Sequence, residues 1–247
     1  MPKPAPRAGV RRALNQKQLV MFYQPIHELA SRRIVAAEAL LRAQRQTGEI
    51  RSAGSIAAGA EEGSELFRLD SWMMKQVCKD TGRWDGVRLN VNLSPREFEE
   101  GSIVQRLKKL GDVSRLNLEI TETSYIRRPK HMQRILDQIR ELGAQLWLDD
   151  FGTGHSSLTH LLYFDIDGVK IPEIFVKEMS PRSKAITRGI VNLAHDLKLP
   201  VIVEGVETPE QLRFVRGLGC EFIQGFLFSR PMSPEGFESV LSRSSTQ

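Results

Sequence analysis

Two extended apolar segments separated by only about nine residues open this chain, and no other feature restricts its fold as much. A gap that short cannot hold a crossover helix, so the two segments turn back on each other as a hairpin. From there to the C-terminus strand-like and helix-like stretches alternate. The strand-like runs fall at 19–24, 33–39, 87–93, 115–121, 145–149, 166–171, 200–204 and 221–223. Between most of them lie apolar stripes with the i, i+3, i+4 spacing of a helix packed on one face. One stripe is Leu66, Leu69, Trp72, Met73 and Val77; a second is Met132, Ile135, Leu136, Ile139 and Leu142; a third is Ile186, Ile190, Leu193, Ala194 and Leu197. Eight strands with intervening helices point to a closed α/β barrel, with a doubly wound open sheet as the alternative.

No linker divides the chain, so residues 11–241 are expected to form a single domain. Residues 1–10, rich in proline and basic, and residues 242–247 are expected to be disordered tails. Of the 247 residues 40% are hydrophobic, enough to bury a sizeable core. No run is long enough to span a bilayer, and the N-terminus lacks the apolar stretch of a secretory signal; a cytoplasmic location is expected. The two cysteines, Cys78 and Cys220, stand in no metal-ligand spacing and are expected to be reduced thiols. The five histidines are scattered, without an HExxH pattern, which argues against a histidine-based zinc site. The net charge of +5 has much of its excess in the first dozen residues, and nucleic-acid binding is not expected.

The unusual residues stand at the ends of the strands. Gln24 is placed at the end of the first and Glu38 at the end of the second. Asn90 and Asn92 lie in the third, Glu119 in the fourth, Asp149 and Asp150 at the end of the fifth. Lys170, Glu204 and Gln224 end the next three. A single carboxylate in a strand carries little weight, since an exposed position or an end cap accounts for it. In a barrel, however, these ends converge on one mouth. Glu38, Glu119, Asp149, Asp150 and Glu204 would bring five carboxylates together. Their mutual repulsion would raise their pKa values and strain the fold unless cations intervened. Oxygen-rich ligands suit Mg²⁺ or Mn²⁺ better than Zn²⁺, and a two-metal site favours in-line phosphoryl displacement. Lys170 would add positive charge beside the attacking water; its plainer reading is a salt bridge to a mouth carboxylate.

The segment Asp150-Phe151-Gly152-Thr153-Gly154 follows a strand and opens a helical pattern, partly imitating a dinucleotide fingerprint. The third glycine is missing, since Ser157 takes its place, and the preceding aspartates would repel a pyrophosphate. The stretch reads better as a flexible loop over the site. Trp72, Trp84 and Trp147 read as core or rim residues rather than as a base-stacking platform.

Taken in order, the motifs are Tyr-Gln-Pro-Ile at 23–26, Glu-Ala-Leu-Leu-Arg at 38–42, Asn-Leu-Ser at 92–94 and Glu-Ile-Thr-Glu at 119–122. They continue with Asp-Asp-Phe-Gly-Thr-Gly at 149–154, Asp-x-x-Lys at 167–170, Glu-Gly-Val-Glu-Thr at 204–208 and Gln-Gly-Phe at 224–226. Together they resemble the EAL domain of bacterial cyclic di-GMP phosphodiesterases, from about Leu19 to Pro231. The resemblance implies a modified (β/α)8 TIM-like barrel with one early strand antiparallel. It also implies hydrolysis of cyclic di-GMP to linear pGpG by a metal-activated water, with two divalent cations, Mg²⁺ or Mn²⁺, and with Ca²⁺ inhibitory. Glu38, Asn92, Glu119 and Asp149 would hold one ion, and Asp149, Asp150 and Glu204 the other. Lys170, Glu204 and Glu38 would carry the chemistry. Gln24, Leu40, Arg42 and Gln224 would contact substrate, and Glu122, Asp167 and Glu207 would support the ligands from behind. Homodimerisation is a further implication.

The chain departs from the family pattern at Ala43, where tryptophan is usual, in the small residues of 52–60, at Pro172, where aspartate is usual, and at His155, where tyrosine is usual. None of these replaces an implied metal ligand. They leave a second reading open, a receptor that binds cyclic di-GMP without cutting it.

Overall fold

The computed structural model describes residues 18–45, 47–52, 64–93, 102–121, 129–153 and 157–244. The chain order is β1 (Leu19–Glu28), β2 (Ile34–Gln44), β3 (Ile50–Ser52), α1 (Ser64–Thr81), β4 (Arg88–Leu93), α2 (Ser102–Leu110), β5 (Leu116–Thr121) and α3 (Pro129–Glu141). It continues with β6 (Gln145–Asp149), α4 (Ser157–Tyr163), β7 (Gly168–Ile171), α5 (Ile174–Lys177), α6 (Pro181–Asp196), β8 (Val201–Val203), α7 (Pro209–Gly217), β9 (Phe222–Ile223) and α8 (Pro234–Ser244).

Eight of these strands close into a barrel in the order β1-β2-β4-β5-β6-β7-β8-β9, and β3 adds to β2 outside the ring. All neighbours from β2 and β4 round to β8 and β9 are parallel. β1 is the reversed strand, antiparallel to both β2 and β9. The hairpin inferred from the short first gap is therefore real, and its reversed strand is the one that closes the barrel. Closure rules out the open-sheet alternative.

The strands alternate where an ordinary parallel barrel would read as a continuous apolar run. In β5, Leu116, Leu118 and Ile120 point outward into the layer shared with the helices, and Asn117 and Glu119 point inward. In β4, Leu89, Val91 and Leu93 join the same outer core. A second, smaller cluster of Ile26, Ala36, Trp147 and Ile202, with Phe222 against it, fills the barrel interior. Trp147 is accommodated by Gly168, where a Cβ would fall 2.5 Å from the Trp147 ring. That close approach explains a glycine at the first position of β7.

Four expectations change. Glu38 does not end its strand: β2 continues to Gln44, and Glu38 pairs with Gln24 on one side and Asn90 on the other. β1 likewise runs past Gln24 to Glu28. α8 extends to Ser244, so residues 242–244 of the expected C-terminal tail are helical, while 1–10 and 245–247 lie outside the described residues. On α6 the buried face is Thr187, Val191 and Ala194, and Ile186 and Leu197 are exposed. Burial of Thr187 is tolerated because its one hydroxyl hydrogen is satisfied internally, with the Ser183 carbonyl at 2.8 Å and the Phe175 carbonyl at 3.0 Å both in reach. A polar residue so paired can enter the core. Of the tryptophans, Trp84 and Trp147 are buried and Trp72 packs partly against the core. Cys78 and Cys220 are free thiols.

Candidate active site

Pleating sends every second residue of a barrel strand inward, and two-residue steps carry each strand from the apolar interior to the mouth. Trp147 is followed by Asp149, Gly168 by Lys170, Ile202 by Glu204, Phe222 by Gln224 and Ala36 by Glu38. On the reversed β1 the step runs backward, from Ile26 to Gln24. The mouth residues are thus brought together by six strands at one level.

Lys170 stands at their centre. Its Nζ lies 2.7 Å from Glu204 Oε1, 2.9 Å from Glu119 Oε1, 3.3 Å from Asp149 Oδ1 and 3.9 Å from Glu38 Oε2. The Lys170 side chain is 1% exposed and that of Glu119 is fully buried. If all four carboxyls were ionised, one ammonium would leave three negative charges uncompensated. Burial, reinforced by Glu38 and Asp149 and only partly opposed by Lys170, pushes the Glu119 carboxyl up to about 8. The same causes push Glu204 up to about 7. Burial alone would lower Lys170, but the four carboxylates outweigh it and keep the ammonium charged well beyond its usual range. Of the two sequence readings of Lys170, the geometry shows the salt bridge: the ammonium pairs with the mouth carboxylates at the point where they converge.

The neighbouring amides complete the ring. Gln224 Nε2 donates to Glu38 Oε2 at 2.6 Å and to Gln24 Oε1 at 3.1 Å, and Gln24 Nε2 donates to the Ser229 carbonyl. Asn92 Nδ2 donates to Glu38 Oε1 at 3.2 Å. Leu40 and Arg42 follow Glu38 on the same face of β2 and are half-buried. Burial lowers the Arg42 guanidinium while Glu38 raises it.

The loops are held by glycines that nothing else could replace. Gly205 has φ +68, and a Cβ there would meet Glu173 Cβ at 2.2 Å. At Gly225 a Cβ would lie 2.1 Å from the Val206 carbonyl oxygen. Thr208 and Gln211 form a capping box at the start of α7, and Gln211 Oε1 also accepts from the Glu207 backbone. This fixes the loop that carries Glu204 and Glu207. Asp150, next to Asp149, is exposed and has a left-handed φ of 54. Such a conformation is uncommon outside glycine and is concentrated at functional sites.

These groups line a cavity of ≈ 250 Å³, among them Gln24, Glu38, Asp149, Glu204, Glu207 and Gln224. A larger cavity of ≈ 530 Å³ lies between the β1–β3 end and α1, beside Trp72 and Arg83, and carries none of the converging carboxylates. The placement of one expected residue differs. Asp167 sits at the far end of the barrel, where its carboxylate accepts from the Leu146 backbone and pairs with Arg140. Glu122 lies outside the described residues, as do 53–60 and His155 of the departures from the family pattern.

The mouth has the donor chemistry of a cation site. It offers carboxylate and amide oxygens, the ligands of hard divalent ions. Glu119 Oε2 is buried without a hydrogen-bond partner, an orphan that a cation would satisfy. Among the described residues no three acidic, histidine or cysteine side chains already close around one point, because the Lys170 ammonium stands between them. Cation binding therefore requires the lysine to yield some of these contacts. With that adjustment the residues fit.

A model of the EAL domain matches residues 7–231. The chain belongs to the EAL domain family. Among relatives of this EAL domain, the cyclic di-GMP phosphodiesterase NbdA of Pseudomonas aeruginosa is 33% identical over 94% of the chain. The chain spans 31% of the length of NbdA, and about as little of the other first relatives. The structure of the PaMucR phosphodiesterase in complex with c-di-GMP superposes with a TM-score of 0.86 at 32% identity, covering 92% of this chain and 97% of that one. The Klebsiella pneumoniae BlrP1 calcium/cyclic di-GMP complex superposes with a TM-score of 0.75 at 29% identity, covering 89% of this chain and 57% of that one.

Asn90 and Asn117 are the site-related residues that pattern reasoning undervalued. Both are buried inside the EAL barrel beneath the mouth and are hydrogen-bonded to each other. Their signal was an asparagine at an inward position one step below a presumed ligand.

Proposed function

We propose that this EAL domain hydrolyses cyclic di-GMP to linear pGpG with the help of two divalent cations, Mg²⁺ or Mn²⁺. The observation that carries the reading is the Lys170 ammonium ringed by Glu38, Glu119, Asp149 and Glu204 from four different strands. The names of NbdA and PaMucR support the substrate, and the calcium named with the BlrP1 complex supports a divalent ion.

Glu38, Asn92, Glu119, Asp149, Asp150 and Glu204 would hold the ions. When bound, the ions would lower the pKa of a water and neutralise phosphate oxygens. Lys170, having yielded some of its carboxylate contacts to the ions, would orient that water by its charge. Attack on phosphorus breaks the P–O3′ bond, one proton of the water ends on the leaving 3′-oxygen, and the product keeps a 5′-phosphate. Gln24 and Gln224 present amides to the phosphate region, and Arg42 at the rim offers a cation to the second phosphate, with Leu40 beside it. Glu207 steadies the loop after Glu204. Ca²⁺ would bind and inhibit, since its looser coordination does not hold the in-line geometry.

The test is direct. Purified chain with Mn²⁺ or Mg²⁺ should convert cyclic di-GMP to pGpG, read by chromatography, and Glu38→Ala should abolish the product while leaving the fold. Tight binding of cyclic di-GMP without product, in folded and cation-loaded protein, would favour the receptor reading instead. Ala43 and Pro172 are the residues that speak for that alternative.

No helix among the described residues is long and apolar enough to cross a membrane, which suits the cytoplasmic location of a nucleotide hydrolase. The homodimer is supported by α4, where Leu158 and Leu162 are exposed one helical turn apart.

A further inference from the structure

Six of the eight barrel strands place an apolar residue or glycine one inward step below their mouth residue; β4 and β5 do not. Below Asn92 stands Asn90, and below Glu119 stands Asn117. Both are buried, at 0% and 2% exposure. Side-chain amides are costly to bury unless their donors and acceptors are met, and hydrocarbon would fill the same space.

The amides form a directed chain. Arg88, one further step down β4, donates from Nε to Asn117 Oδ1 at 2.6 Å and from a terminal nitrogen to the Leu116 carbonyl at 3.0 Å. Asn117 Nδ2 donates to Asn90 Oδ1 at 2.9 Å. Asn90 Nδ2 donates to Glu119 Oε1 at 2.7 Å. A guanidinium has donors only, so it fixes which end of the Asn117 amide faces it. That orientation dictates the Asn90 orientation, which in turn delivers an N–H to Glu119. Glu119 Oε1 thus takes the Asn90 amide as hydrogen-bond donor and the Lys170 ammonium as ion-pair partner at 2.9 Å, and Oε2 is buried without a hydrogen-bond partner.

We propose that Asn90 and Asn117 are positioning residues. Polarised by Arg88 from the far end of the barrel, they hold the Glu119 carboxylate so that Oε1 faces the protein's own donors and Oε2 is reserved for a divalent cation. The inference rests on the reading of the mouth as a cation-dependent site and specifies how one ligand of that site is aimed. Groups that orient metal ligands commonly change cation affinity by about tenfold or more when removed.

The test titrates Mn²⁺ into the metal-free full chain by calorimetry, with thermal unfolding of the metal-free proteins alongside. Asn90→Leu keeps the volume and removes the donor; its Mn²⁺ dissociation constant should rise by about tenfold or more. Arg88→Met releases the amides to flip and should weaken Mn²⁺ by a smaller factor. A lowered unfolding temperature with Mn²⁺ affinity within twofold of wild type would mean a purely structural role and overturn the proposal. If Asn90→Leu does not fold, Arg88→Met decides by the same criterion. Product formation is followed in parallel. Wild-type protein that binds Mn²⁺ but makes no pGpG sinks the hydrolase reading and leaves the relay standing, whereas unchanged affinity in the variants sinks the relay even if hydrolysis is robust. Wild-type protein that takes up no Mn²⁺ overturns both.

Discussion

Glu204 Oε1 and Lys170 Nζ, 2.7 Å apart, form the shortest of four ion pairs that tie one buried ammonium to the carboxylates of the barrel mouth. The pair joins neighbouring strands β7 and β8, so the charge balance of the site and the closure of the barrel are parts of one structure.

Removing the ammonium should therefore be felt in stability before it is felt in chemistry. Lys170→Met leaves the carboxylates buried without a counter-charge, and breaking a buried pair in this way costs roughly 3–5 kcal/mol. Urea unfolding of the metal-free protein should show that loss, and added Mn²⁺ should recover part of it. An unchanged midpoint would mean that the carboxylates already carry protons enough to do without the lysine.

The raised carboxyls set a pH dependence with a definite sign. Glu119 and Glu204 titrate near 8 and 7 in the folded chain, against 4.5 when unfolded. Below pH 4.5 both states are protonated and their contribution is fully present. Between 4.5 and about 8 the unfolded chain ionises while the folded one keeps its protons, so stability falls as pH rises. The Lys170 shift acts only above this window. The metal-free protein should unfold at a lower temperature at pH 8 than the same groups allow at pH 5, and Glu119→Gln should flatten that slope. Because a bound cation replaces those protons, the Mn²⁺-induced rise in unfolding temperature should grow with pH.

Gly205 couples the site to its loops. Gly205→Ala would force a Cβ against Glu173 Cβ at 2.2 Å and hold an alanine at φ +68. Strain of this kind costs about 1–3 kcal/mol, and it would displace Glu204, the adjacent residue. Hydrolysis should fall further than stability does. Glu173→Gly in the same chain removes the opposing Cβ and should restore part of the unfolding temperature; no recovery would place the strain in the backbone angle and the remaining approach to the residue 173 Cα at 2.9 Å.

Much of the fold could be read in advance. The short first gap gave the hairpin, and the alternation of strands and helices gave the barrel. Chemically unusual residues at strand ends gave Glu38, Asn92, Glu119, Asp149, Lys170, Glu204 and Gln224, which the structure gathers at one mouth or beside it. Asp167 shows the limit: three residues before Lys170 in sequence, it belongs to the opposite end of the barrel, tied to Arg140 and the Leu146 backbone. On α6 the apolar stripe suggested Ile186, and a hydrogen-bonded Thr187 took the buried place.

The sequence by itself determined which residues share a face, because a side-chain period of two or 3.6 is a local property of the backbone. It could not determine which residue on one strand meets which on the next. That depends on the stagger of the closed barrel, set by packing of Trp147 over Gly168 and by the reversed β1. Only the tertiary structure put Asn117 against Asn90, Asn90 against Glu119, and a single lysine among four carboxylates.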